Sequence, residues 1–502
     1  MKTNIRSLSF LANRVTSRSA TTPLTFSSYK QFIATITNHT VMTNINTTTY
    51  INANKSRFID ELTSFLTIPS ISTQPEHKPH IQQAAQFVKE KLLAAGSDEA
   101  YLIETASNPL VYGRKTIDPE LPTVLVYGHY DVQPPEPFEL WTSEPFHPVI
   151  KDNHIFARGA SDDKGQVYIH IKALETMLAL QQLPCNLKFL IEGEEEVGSD
   201  ALTHFLQDPN NHPLLQADIV LISDTGMLST TQPSIDTSLR GTTGLEVTLT
   251  GPNRDLHSGS YGGAVNNPIH ALCKIIAQLH NPDHQITIPG FYDNIAELTA
   301  EQRKQLNSIP FDLETYQQNL GITKAIGEKE YTTLERVGIR PSLDVNGIWG
   351  GYTGIGTKTI IPSKAHAKIT LRLVSGQDPV KIIHALSDYL TALTPEGCHI
   401  KIEKSSQNHT AVLINEHNTA FQAAQNAFEE IWGKKPLSYR EGASIPIVST
   451  FKEQLGLDTI LMGFGLSTDN IHSPNENFSL VHFERGIKTV IAFYHHLVRL
   501  RQ

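Results

Sequence analysis

Apolar positions along the chain change period several times, and each change predicts an element. From Arg57 onward, Phe58, Leu62, Phe65 and Leu66 recur at i, i+4, i+7 and i+8, the stripe of an amphipathic helix closed by Pro69-Ser70-Ile71-Ser72. A second helix is predicted over 81–95, with Ala85, Val88 and Leu92 on one face and Gly96 as its stop. The run Val124-Leu125-Val126-Tyr127 reads as a short buried strand ending at Gly128. Val167, Ile171, Leu174 and Leu178 form the next helical stripe, and 187–191 and 219–222 read as further buried strands.

Near Asp236 the texture changes. Leu245, Val247 and Leu249 alternate as a half-exposed strand, and Asn267-Pro268 opens a helix with Asn as N-cap and Pro at the first position. Ile269, Leu272, Ile276 and Leu279 give that helix its apolar face. Residues 281–340 are polar and show no legible period. Ala365, Ala367, Ile369, Leu371 and Leu373 then point one way, while Lys364, His366, Lys368, Thr370 and Arg372 point the other. Asp378-Pro379 starts a helix over 380–393. The pattern predicts an α+β sandwich over 237–408, inserted into an α/β domain made of 56–236 and 409–502, with a closing helix over 483–500.

Length and charge narrow the class. A chain of 502 residues, 39% hydrophobic and 18% charged, suits a soluble globular protein of two or three domains. No run of 18 apolar residues predicts a membrane span, and a net charge of −10 without a basic block argues against nucleic-acid and membrane-surface partners. Cys185, Cys273 and Cys398 are few, scattered and odd in number, which fits a reducing, cytoplasmic setting better than a disulfide framework or a cysteine-based zinc site. Residues 1–55 contain no Asp or Glu and are rich in Ser, Thr and Asn. That composition predicts an unstructured extension; it also resembles an organelle transit peptide, and translation from Met42 is a third reading.

The candidate chemistry sits where strands stop. After Tyr127-Gly128, His129 and Asp131 are i and i+2 in extended chain, so they lie on one side, and the carboxylate can orient the imidazole as a metal ligand requires. A strand-end histidine beside a surface aspartate would look the same. Asp162 and Asp163 lie in the glycine-framed turn Arg158-Gly159-Ala160-Ser161-Asp162-Asp163-Lys164-Gly165 ahead of a helix, where either could act as a cap. Glu194-Glu195-Glu196 follow a buried strand, and such a cluster repels itself near a core unless a cation compensates it. Asp224 follows the next strand. In an open α/β sheet these strand ends form one edge, where ligands bind. Other histidines, among them His280, His284, His417, His495 and His496, have no carboxylate constellation around them and read as structural.

Five stretches taken in order are similar to those of the M20 family of zinc peptidases, most of all its carnosine-dipeptidase and cytosolic nonspecific dipeptidase branch. They are Gly128-His129-Tyr130-Asp131-Val132-Gln133, Arg158 to Gly165, Glu195-Glu196-Val197-Gly198-Ser199, Arg254-Asp255-Leu256-His257-Ser258-Gly259 and Asn470-Ile471-His472-Ser473, and the likeness spans residues 57–500. The resemblance implies a catalytic domain with a mixed central sheet flanked by helices and an inserted lid and dimerisation domain. It implies two divalent metals, Zn²⁺ first with Mn²⁺ or Co²⁺ as alternatives, one held by His129 and Asp224, the other by Glu196 and His472, with Asp162 bridging and often followed by a cis peptide. Asp131 would orient His129. Glu195 would be the general base, acting on a water shared by the metals. His257 would reach a partner subunit's site in a homodimer and stabilise the oxyanion, and Arg372, Thr359 and Ser444 would grip the carboxylate of a small peptide substrate. Asp at position 224, where deacylase and carboxypeptidase members tend to have Glu, favours a dipeptidase; an N-acyl-amino-acid amidohydrolase is the alternative on the same scaffold, and a metal-free binding protein a third. Tyr130 and Val197 depart from the pattern of close relatives, but neither supplies a ligand.

Overall fold

The computed structural model describes residues 26–406 and 408–501, with side chains from residue 46. Two compact units divide the chain, Met1–Asn54 and Lys55–Gln502. Where composition predicts an unstructured extension to residue 55, the described part is helical: α1 runs Phe26–Leu66. No Gly or Pro falls between those residues, so the hydroxyl-rich sequence contains no strong helix breaker. The transit-peptide reading of the first 25 residues lies outside the described residues.

In the second unit, Phe58, Leu62, Phe65 and Leu66 are buried as their spacing predicts. Helix α2 (Lys78–Ala94) buries Ala85, Val88 and Leu92, and the chain turns at Gly96 with φ 103°. Strands β1 (Glu99–Ile103), β2 (Leu110–Lys115) and β3 (Thr123–His129) precede α3 (Lys164–Ala179); β4 (Asn186–Glu192), β5 (Ile219–Ile222) and β6 (Ser234–Leu239) follow it. The periodic stripe predicts one buried face for α3, but almost the whole helix is buried. It packs between β3 and the C-terminal helix, so even its lysines are covered. The Lys164 ammonium donates to the Ile68 carbonyl at 2.6 Å and lies over the Phe65 ring, and burial pulls its pKa down to about 7. Lys172 is paired with Glu61 and Glu175.

After Leu239 the chain builds a second sheet. Its strands are β7 (Gly241–Thr250), β8 (Ser342–Gly350), β9 (Lys364–Leu373) and β10 (His399–Lys404), arranged antiparallel in the order β8-β9-β7-β10. Along β9 the odd-numbered apolar residues are buried and the even-numbered ones face outward, as the alternation predicts. Helices α4 (Pro268–Ala277) and α5 (Pro379–Ala392) bury their apolar faces in this sheet's core. The Asn267 and Asp378 side chains cap them, accepting from the amides of Ile269 and Val380 at 2.9 Å. The stretch without legible period holds three short helices, Ala300–Leu306, Leu313–Leu320 and Thr333–Gly338. Two of them open with capping boxes, Thr299 with Gln302 and Thr332 with Glu335, a local signal readable in the sequence.

The chain then returns to the first sheet through Val412–Leu413, α6 (Thr419–Trp432), Leu437–Arg440, β11 (Thr459–Leu461) and α7 (Leu480–Arg501). The central sheet runs β1-β2-β4-β3-β5-β11-β6 and ends on Val412–Leu413, while Leu437–Arg440 also pairs with β6. Strands β4, β3, β5 and β11 are mutually parallel, so their C-terminal ends form one edge. The fold is a mixed α/β sheet flanked by helices, with an α+β sandwich built between β6 and Val412. Among the described residues no helix is long and apolar enough to cross a membrane.

Candidate metal centre

The parallel ends of β4, β3 and β5 bring together what the sequence scatters. His129, the last residue of β3, is fully buried. Its Nε2 lies 2.9 Å from Asp162 Oδ1 and 3.7 Å from Asp224 Oδ2. Its Nδ1 lies 3.1 Å from the Asp131 carbonyl and 3.4 Å from Asp131 Oδ1, so the i, i+2 pairing expected of extended chain is present. His472 approaches from the loop before α7; its Nε2 is 2.9 Å from Asp162 Oδ2 and 3.2 Å from Glu196 Oε2. Asp162 therefore turns one oxygen to each histidine. The peptide bond between Asp162 and Asp163 is cis.

Two triads result, His129–Asp162–Asp224 and Asp162–Glu196–His472, each with one donor atom per residue and all its donors within 4.8 Å of one another. The donors are imidazole and carboxylate only, a set that suits Zn²⁺, Mn²⁺ or Co²⁺. Electrostatics favour the same occupancy. Burial and the neighbouring Asp162 push the Asp224 carboxyl up to about 7. Burial, and then Asp162, raise Glu196. Burial raises Glu195 as well; His129 opposes the rise while Asp224, Glu196 and Asp162 add to it. Burial alone would raise Asp162 too, but hydrogen bonds from both imidazoles carry it below the usual carboxylate range. Hydrogen bonds to Asp162 and Glu196 lift His472 to about 10. Packed this closely, the carboxyls repel one another, and a pair of divalent cations would supply the compensating charge. The residues fit two metals. Glu195 belongs to neither triad.

A ring of further side chains fixes these donors. The Asp131 carboxylate accepts the Glu195 and Glu196 amides, both at 3.2 Å, and so holds the glutamate turn as well as His129. Gln133 Nε2 donates to Glu196 Oε2 at 2.7 Å. Asp163 occupies the N-cap position of α3, yet its side chain makes no cap hydrogen bond; Oδ2 accepts the His129 amide at 3.1 Å instead. Of the two cap readings, this one gives way to orientation of a ligand strand. Buried Glu192 accepts Tyr127 Oη at 2.7 Å and Ser199 Oγ at 2.8 Å, and burial lifts its pKa to about 8. Glu476 ties down the turn before Asp162. Sequence reasoning gave Gln133, Asp163, Glu192 and Glu476 no such roles. All four lie within four residues of a candidate ligand, and that proximity is the available signal.

The remaining site residues fall into two pairs, His257 with Thr359 and Arg372 with Ser444. Leu256–His257 pairs with Ile360–Ile361, and the Ser258 amide donates to the Thr359 carbonyl at 3.0 Å, so exposed His257 and Thr359 are neighbours. His257 Nδ1 accepts the Gly259 amide at 3.0 Å. Arg372 Nη1, on the outward face of β9, donates to Ser444 Oγ at 2.7 Å across the junction with the central sheet. Among the described residues, none of these four makes a hydrogen bond or ion pair with the five donors.

Comparison with known proteins gives the same pattern a lineage. Residues 125–497 match the family model for Peptidase family M20/M25/M40. The chain is 32% identical to the Cys-Gly metallodipeptidase DUG1 of Candida albicans over 465 residues, 88% of this chain and 95% of that protein. It is 31% identical to the Beta-Ala-His dipeptidase of Mus musculus over 470 residues, 89% and 94% of the two chains. The solved structure of the di-peptidase Dug1p from Saccharomyces cerevisiae overlays with a TM-score of 0.79 at 29% identity, covering 91% of this chain and 98% of that one.

Proposed function

The chain belongs to peptidase family M20/M25/M40 and is a peptide hydrolase, and from that premise we propose that it is a dinuclear metallodipeptidase acting on short peptides with a free amino terminus. The observation that carries this reading is Asp162, shared by two histidine–carboxylate triads beside an unassigned Glu195. His129 and Asp224 would hold one ion, Glu196 and His472 the other, with zinc first in line. When bound, such a pair lowers the pKa of a shared water toward neutrality and polarises the scissile carbonyl.

The chain's own residues account for the rest. Glu195 takes a proton from the attacking water as its oxygen bonds to the carbonyl carbon, and hands that proton to the leaving amine as the C–N bond then breaks. Arg372, with Ser444 and Thr359, receives the substrate carboxylate; a planar guanidinium meets it bidentately. Asp224 favours a substrate with an unblocked amine. His257 donates to the developing oxyanion of a neighbouring subunit's site. Strand β8, at the edge of the second sheet, exposes Val345, Ile348 and Trp349, an apolar surface suited to a second copy of the chain. In this reading 56–236 and 409–502 form the catalytic domain and 237–408 the lid and dimerisation module. Three free cysteines fit a reducing compartment such as the cytoplasm.

A panel of free and N-acetylated dipeptides tests the proposal, headed by Cys-Gly and β-Ala-His because relatives carry those names. Free dipeptides should be cleaved, cleavage should stop with chelator, and zinc or manganese should restore it. Rapid release from N-acetyl-amino acids with inert free dipeptides would reverse the assignment in favour of a deacylase.

A further inference from the structure

Two carboxylates outside the donor set bracket the loop that carries His472. Asp469 Oδ2 accepts Ser161 Oγ at 2.9 Å and the Leu466 amide at 2.8 Å. Glu476, fully buried, does more. Its Oε1 accepts the amides of Ser161 and Asp162 at 3.0 and 3.1 Å. Its Oε2 accepts the Gly159 amide at 2.9 Å and pairs with Arg158 Nη1 at 2.7 Å. One side chain thus closes the whole turn that delivers Asp162. The backbone joins in, with the Ala157 amide donating to the Glu476 carbonyl at 3.0 Å and Asn477–Ser479 pairing with His154–Phe156.

The bracketed loop carries backbone strain, held by its own bonds, among them the Ser473 amide to the Asn470 carbonyl at 2.9 Å, and by Asn475, whose Oδ1 accepts the Thr142 amide at 2.7 Å. Asn470, His472 and Asn475 all have positive φ, 56°, 60° and 63°, a conformation that side chains other than glycine adopt reluctantly. His472 is itself half exposed. The two staples join its loop directly to the turn that delivers Asp162.

We propose that Glu476 is a positioning residue that locks the Asp162 turn and the His472 loop into one unit, so that the two metal sites form together. Removing it loosens the bridging carboxylate, which both sites share, and one terminal ligand. Gln133 offers the contrast, since its hydrogen bond reaches only Glu196.

The inference rests on the dinuclear reading, and a zinc titration of the metal-free, full-length protein separates the two. Zinc alone is the probe, competed against a chromophoric chelator, with bound metal counted by elemental analysis. The wild-type chain should take up two ions. Glu476→Gln should lose tenfold or more in affinity at both sites, the scale seen when partners of metal ligands are removed. Its metal-free circular dichroism should match wild type, and excess zinc should restore turnover. Gln133→Ala should weaken one site only. Two ions bound by Glu476→Gln at wild-type affinity would overturn the proposal while leaving the dinuclear site standing; a wild-type chain that binds none defeats both. Should Glu476→Gln not fold, Glu476→Asp is read by the same criteria, and if neither folds, Glu476 is a brace of the fold and the proposal is wrong.

Discussion

The rim of the central sheet and the outer face of the inserted module handle polar groups in opposite ways. At the rim, five residues separated by up to 343 positions, from His129 to His472, converge into two triads whose donor atoms lie within 4.8 Å of one another, and buried Asp131, Asp163 and Glu476 hold the segments that carry them. In the module, His257 and Thr359 are exposed and sit beside each other, without a hydrogen bond or ion pair to the rim among the described residues. Both triads of the rim are drawn from one chain. In the proposed function the module's His257 serves a second copy of the chain, which is why the dimer belongs to that proposal.

The largest expected effect tests whether the rim's parts are separable. Glu195→Gln should cut kcat by about 10²–10⁴-fold with two metals still bound, the range for loss of a general acid–base group; unchanged turnover removes it as the base. Next, His257→Ala should lower kcat by about 10²–10³-fold, as for an oxyanion donor. Mixing that variant with Glu195→Gln sharpens the comparison. If subunits share sites, random heterodimers carry one intact site each, and the mixture should regain about a quarter of wild-type activity. A mixture no better than its parts would place His257 in its own chain's service. A smaller loss is expected for Arg372→Met, about 10–100-fold in kcat/KM and carried by KM, since a hydrogen bond to a charged group contributes about 1.5–3 kcal/mol. C-amidated peptides should be indifferent to that change.

The smallest effect concerns folding. His170 on α3 is buried with only Ser223 Oγ, 2.8 Å away, as partner, and burial drops its pKa to about 3. An unfolded chain protonates this ring below its ordinary 6.5, while the folded protein refuses the proton down to about 3. Stability is therefore full above pH 6.5 and falls as pH drops through that window, by up to about 1.4 kcal/mol per unit. Between pH 6.5 and 5 that is roughly 2 kcal/mol, and His170→Asn should remove this part of the slope in urea titrations. An unaltered slope would show that His170 is not the group responsible.

Four of the five rim residues, His129, Asp162, Glu196 and Asp224, were readable in the chain itself because each follows a buried strand or precedes a helix, while His472 came only from the resemblance. The i, i+2 geometry of His129 and Asp131 and the two-faced pattern of β9 needed nothing beyond strand pleat. Other elements left weaker traces. Strand β8 is largely exposed and its register slips between Val345 and Gly347, so no alternation survives. The short helices of 281–340 have hardly any buried stripe, and only two of the three carry a capping box. Asp163 could be placed in a cap but not against the His129 amide, because that contact spans 34 residues and depends on how α3 meets β3. Glu476 stands in a motif whose histidine draws attention, while its own partners lie more than 300 residues away.

One residue, Arg240, separates β6 from β7, and the outgoing chain retraces the same path: Thr242 and His409 exchange both backbone hydrogen bonds, at 3.0 and 2.9 Å, before Val412 pairs with Leu239. Seen from the catalytic sheet, the whole module is an overgrown hairpin whose two ends stay zipped. A short turn could close that gap, so excising the module and rejoining the ribbon is a feasible route to a minimal metal-binding scaffold. The same geometry lets a foreign domain with adjacent termini be grafted there without recutting the sheet that bears the ligands.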